Sequence, residues 1–119
     1  MRLLTAILLT ASFAAQAEWV LITESPDGSE EFIETSDRAK DGESVTVWHK
    51  SNNAAGQSYR VRVVYDCKNR TQQQVSLQRF SAHDFEGDAG QVDNKSYKPF
   101  SAAPETVAGV TLGYICGDK

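Results

Sequence analysis

Residues 58–70, SYRVRVVYDCKNR, constrain the chain more than any other stretch. Tyr59, Val61, Val63, Tyr65 and Cys67 recur at every second position, with Arg60, Arg62, Val64 and Asp66 between them. Successive side chains of a strand point to opposite faces. Period-two alternation rich in β-branched and aromatic residues therefore predicts a half-buried antiparallel strand. One of the two cysteines lies on its apolar face, and the other, Cys116, lies close to the C-terminus. A bond between them would pin the end of the chain onto this strand.

The chain opens with MRLLTAILLTASFAAQA. A basic Arg2, an uncharged apolar run over residues 3–14 and a small-residue Ala15-Gln16-Ala17 site together read as a secretory signal peptide. Residues 1–17 are assigned to it, and residues 18–119 to a single domain, which suits a chain of 119 residues. The run falls short of the roughly 20 residues a membrane helix needs, and no later stretch is apolar enough, so no membrane span is expected. No cysteine stands directly after Ala17, where an acylated start would need one. The product is therefore read as exported, either periplasmic or at the cell surface and secreted, without a lipid anchor. The formal net charge is −4 and becomes more negative once Arg2 is lost, which argues against nucleic acid and anionic membranes as partners.

Export places both cysteines in an oxidising compartment, where one disulfide is the simplest state. Two buried thiols or a redox pair are the alternatives, and the spacing is far from C-x-x-C. A bridge from Cys67 to Cys116 closes a long loop. In the chain-entropy model that contributes roughly 4 kcal/mol, a large share of a typical net stability of about 5–15 kcal/mol.

Further strands are expected at residues 19–23 (WVLIT), 31–35 (EFIET), 44–50 (SVTVWHK) and 73–80 (QQVSLQRF), with a short last strand at 91–97. Val75 and Leu77 are expected to point inward. Residues 36–42 read as a loop or a single helical turn, and Asn52-Asn53-Ala54-Ala55-Gly56 reads as the turn of a hairpin. Residues 101–106, with Pro104 and Glu105, look like a helix start. Val107, Val110, Leu112, Ile115 and Cys116 then follow helical spacing, and Gly117 suits a C-cap. Gly109 and Gly113 lower helix propensity but would allow close approach to the sheet. The expected fold class is α+β: an antiparallel sheet of about six strands, with a C-terminal helix packed on one face and tied by the disulfide.

Chemistry-bearing patterns are sparse. His49 and His83 are the two histidines, and neither sits at metal-ligand spacing, so no metal or other cofactor is expected. Asp84, Glu86 and Asp88 alternate as calcium ligands do. The pattern then places Ala89 where glycine belongs and Lys95 where the closing carboxylate belongs, so a solvated loop is the better reading. No nucleophile elbow or Ser–His pairing is written in the sequence, and a non-catalytic protein is expected. Asn69 and Asn94 begin glycosylation sequons, which matter only in a eukaryotic source. The one surface feature that suggests binding is Trp48 and Lys50 on one strand beside Arg60 and Arg62 on the next. Such a cationic-aromatic patch suits acidic or carboxylate-bearing partners.

These residues also carry a resemblance. A leader, Trp19, the F-I-E-T-S run, the V-W-H strand, Y-D-C-x-x-R over residues 65–70 and the late Cys116 resemble the bacterial surface-adhesin protein E family across residues 19–117. The resemblance implies a six-stranded sheet, with the C-terminal helix held on its concave side by a Cys67–Cys116 disulfide. It implies an envelope or surface protein that binds host matrix or envelope proteins, and a homodimer for which an edge strand offers a route. The alternative function is a periplasmic small-ligand carrier or inhibitor that uses the groove between sheet and helix.

Overall fold

The computed structural model describes residues 18–36 and 38–117. The expected signal peptide lies outside them. Six strands form one antiparallel sheet: β1 (Trp19–Glu24), β2 (Glu30–Glu34), β3 (Ala39–Asp41), β4 (Ser44–Asn52), β5 (Ser58–Asp66) and β6 (Thr71–Phe80). One helix follows, α1 (Val107–Cys116). The strand order is β1-β2-β4-β5-β6, and β3 pairs with the part of β4 beyond β2.

The long β4–β5 hairpin is the spine, with nine residues of each strand in register from Ser44↔Asp66 to Asn52↔Ser58. Alternation along both strands gives the sheet two chemically different faces. Val45, Val47 and His49 lie opposite Tyr65, Val63 and Val61 on the helix side. Trp48 and Lys50 lie opposite Arg62 and Arg60 on the outer side. Leu112 of α1 closes the core over Val45, Val47, Val63 and Tyr65. The Cys67–Cys116 disulfide joins residues 49 apart in sequence and holds their Cα atoms 5.3 Å apart.

The Y-D-C-x-x-R segment acts as the lock for the end of the chain. Asp66 Oδ1 accepts from the amides of Lys68 and Asn69 and so shapes the turn after β5. Arg70, at φ 55°, turns back and donates from Nη1 to the carbonyl oxygen of Gly117 at 2.7 Å. Gly117 ends α1 at φ 85°, where any side chain would be strained. The helix is thus held by a covalent bond and a charged hydrogen bond within one turn of its C-terminus.

Five details differ from the sequence expectation. Residues 39–41 form a strand rather than a loop or helical turn, because the exposed Ala39–Asp41 segment completes the β4 edge that β2 leaves unpaired. Residues 91–97 do not form a strand. This stretch runs along β6 and touches it at separated points, through the Leu77↔Asp93 bridge and the Tyr97 amide donating to Gln74 O. Val75 is the extra residue of a bulge where β6 passes Arg62 and Val63, so Gln74 rather than Val75 pairs with Val63 on the helix side. The helix begins at Val107, with Thr106 as its cap accepting from the Gly109 amide at 3.1 Å; Pro104 belongs to the preceding turn. Gly109 is needed for that turn and not for the sheet, since a Cβ there would collide with the carbonyl of Ala103.

Candidate functional site

The outer face gathers three of the four residues of the expected patch. The guanidiniums of Arg60 and Arg62 lie 4.0 Å and 4.7 Å from the centroid of the Trp48 ring. Cations at this range are drawn to the negative face of the indole, and more strongly to indole than to other rings. The ring also fixes both long side chains, which reduces the rotamer entropy lost when an anion is bound.

Lys50 shares this face but turns away. It stands directly opposite Arg60 in the register, and like charges in that position repel. Its ammonium goes instead to Asp84 Oδ1 at 2.9 Å and lies over Phe32 (4.3 Å), Trp19 (5.3 Å) and Phe85 (5.9 Å). Lys50 is 9% exposed. The carboxylate reaches it from the single helical turn His83–Phe85, in which Asp84 and Phe85 both adopt left-handed φ values, 57° and 65°. Two consecutive non-glycine residues in that region cost energy that the surrounding contacts must offset. Those contacts are on hand. Buried Asn52 accepts from the Asp84 amide and donates to its carboxylate, while buried Ser58 accepts from the Phe85 amide and donates to Ala82 O. Phe85 packs edge-on against Trp19 and beside Phe80. Hydrogen bonds from Asn52 and Lys50 hold the Asp84 carboxyl below the usual carboxylate range. The acidic loop is therefore a clamp on Lys50. Among the described residues no three His, Cys, Asp or Glu side chains come together in a way that could hold a metal.

The helix face carries the groove between sheet and helix that the alternative reading calls on, with a polar cluster that the sequence reading did not single out. A groove of about 490 Å³ lies between the sheet and Val107, Ala108 and Thr111 of α1. Val61, Val63, Leu77 and Val107 form its apolar walls, and Glu31, Ser51, His49 and Tyr65 gather as a polar group. The Tyr65 hydroxyl and His49 Nε2 are 2.7 Å apart. The Ser51 hydroxyl donates to Glu31 Oε1 at 2.6 Å. Burial drives the His49 pKa down to about 4, so the ring is neutral at physiological pH. Burial, with the nearby Glu31 charge, raises that of Tyr65. Burial also raises the Glu31 carboxyl, and the Ser51 hydroxyl partly opposes that shift. The signal for this cluster was present in the E-F-I-E-T run, where Glu31 shares a face with Ile33 by alternation. His83, the other histidine, is exposed and bonds the Asn53 carbonyl oxygen at 2.8 Å.

The Ser51 proton goes to Glu31 and not to His49, while His49 Nε2 is engaged by Tyr65. The cleft thus holds a serine, a histidine and an acid without the serine–histidine contact that nucleophile activation needs.

The architecture is thus a disulfide-pinned helix on an antiparallel sheet, with arginines over a tryptophan on the opposite face. Residues 19–117 match the family model of surface-adhesin protein E, and the chain belongs to that family. It is adhesin-like, of an exported or surface class. No curated protein and no solved structure gives a significant match. Among the described residues no helix is long and apolar enough to cross a membrane.

Proposed function

We propose that this protein is a non-catalytic exported binding module, released by cleavage after residue 17, whose contact surface is the Trp48–Arg60–Arg62 face. The partner is a host matrix or envelope protein that presents an acidic segment. The observation that carries this reading is the stacking of both guanidiniums on one indole. Arginine and tryptophan are the residues that most often carry interface energy, and a guanidinium can take a carboxylate in two parallel hydrogen bonds. Lys50, on the same face, is engaged by Asp84 and the rings around it and is not itself a contact.

The test is binding of the mature protein to immobilised matrix proteins and to envelope extracts, with the Arg60→Glu/Arg62→Glu double variant beside it. Wild type should bind in a salt-sensitive manner, and charge reversal should weaken binding at least tenfold with the fold intact by circular dichroism. Undiminished binding by the double variant, or no macromolecular partner in either panel, would refute the reading. Protease shaving of intact cells separates the two sites of action. Digestion on intact cells points to a host partner, and protection until the outer membrane is opened points to an envelope partner.

A further inference from the structure

We infer that the groove between sheet and helix is a second, independent binding site, one that takes a small amphipathic monoamine. The ammonium would sit against Glu31 and the aliphatic body along Val61, Leu77 and Val107.

The sheet register lays out the groove floor in rows. Thr23, Glu31, Ser51 and Tyr59 form one transverse row, and Ile33, His49, Val61 and Leu77 form the next. The following rows, holding Val47 with Val63 and Val45 with Tyr65, lie beneath Leu112. The helix therefore seals the lower half of the sheet and leaves the upper rows open. At about 490 Å³ the space is within the range of small-molecule sites.

The charge of the lining selects the ligand. Glu31 is the one charged side chain in the groove wall. The cation in its row, Arg79, pairs with Tyr59 three strands away, roughly 14 Å from Glu31 by strand spacing, and lies over the Tyr59 ring. Lys50 is on the other face of the sheet. An anionic ligand would meet a carboxylate with no cation to offset it. A polyamine would bring several charges to a site that matches one. His49 stays neutral beside Tyr65 and adds no positive charge.

The polar end is also incompletely satisfied. Ser51 engages one Glu31 oxygen, and no protein donor reaches the other among the described residues. An ammonium offers three donors to such an acceptor. Gln72, by contrast, already spends its amide on the carbonyl oxygen of Ala108 and fixes the helix wall.

The experiment is an NMR titration of the mature protein with hexylamine, 1-hexanol and hexanoate, read from backbone amide shifts. Hexylamine should saturate and shift residues of the groove, with hexanol at least tenfold weaker and hexanoate silent. Glu31→Gln, which keeps size and the Ser51 bond, should weaken the amine at least tenfold and leave hexanol unchanged. Val107→Trp, at a half-exposed position on the helix wall, should block both ligands with the fold intact. Equal binding of amine and hexanoate, an unaffected Glu31→Gln variant, or shifts confined to the Trp48 face would each overturn the inference. Arg60→Glu/Arg62→Glu should bind hexylamine normally, so loss of the outer-face reading leaves this one standing, and the reverse holds.

Discussion

The two faces of one sheet solve the problem of polar residues in opposite ways. On the outer face, cations are spread over aromatic rings: Arg60 and Arg62 on Trp48, and Lys50 among Trp19, Phe32 and Phe85 with Asp84 to neutralise it. On the helix face, charge is suppressed: His49 is held neutral, Tyr65 is held protonated, and the Glu31 carboxyl is pushed upward. The difference follows from the partners each charge has. Lys50 is itself buried but has a carboxylate and three rings against it, whereas His49 and Glu31 sit in a groove whose walls are largely apolar and penalise ions. One strand pair can thus carry a surface suited to a charged protein partner and a groove suited to a small ligand.

The strongest way to break this contrast is to unpin the helix. Cys67→Ser or Cys116→Ser should cost about 4 kcal/mol in denaturant unfolding under oxidising conditions. In reductant, variant and wild type should converge. Equal stability in both conditions would mean that the helix side is held by Leu112 packing and the Arg70–Gly117 bond alone.

A smaller effect should come from acid. His49 has a folded-state pKa of about 4 against an ordinary 6.5. Below pH 6.5 the unfolded chain takes up a proton that the folded one refuses, so stability falls as pH drops and levels off below about 4. Between pH 7 and pH 5 the expected loss is about 2 kcal/mol by linkage. Glu31 acts in the opposite sense: its raised carboxyl takes up a proton in the folded chain before the unfolded chain does, so it begins to offset the loss above its ordinary 4.5, and about 2 kcal/mol is the share of histidine alone. Tyr65 does not titrate there. His49→Gln, which can still accept from the Tyr65 hydroxyl, should flatten the slope. An unchanged slope would place the acid sensitivity elsewhere.

Much of this contrast was legible before the structure. Alternation in residues 44–50 and 58–67 separated Val45, Val47 and His49 from Trp48 and Lys50, and placed Arg60 and Arg62 beside the latter. The pairing of Cys67 with Cys116 and the helical spacing of Leu112 and Cys116 fixed where the helix lies. What escaped were features set by a single residue or by distant pairs. The Val75 bulge leaves no mark in an alternating run, and it moved Gln74 to the inner face. Ala39–Asp41 is too short and too exposed to show a period. The turn of Lys50 toward Asp84 depends on a loop more than thirty residues on, whose HDFEG sequence looks like solvated acid until the left-handed turn aims it at the sheet.

That clamp supplies the finest test of the outer face. Asparagine adopts left-handed φ more readily than most residues, so Asp84→Asn removes the charge without adding backbone strain. Its side-chain oxygen can still accept from Lys50 and Asn52. The only certain loss is the neutralisation of an ammonium that is nearly buried among rings. The pair is half open, since most of the Asp84 side chain faces water, and the expected cost is about 1 kcal/mol at pH 7. The depressed Asp84 carboxyl stabilises the fold above its ordinary pKa of 3.8, and that contribution is lost as pH falls through the lower folded value. Wild type and variant should therefore differ in urea unfolding at pH 7 and converge toward pH 3. Identical curves at pH 7 would mean that the rings around Lys50 carry its charge without help, and that Asn52 and Ser58 alone hold the strained turn against the sheet.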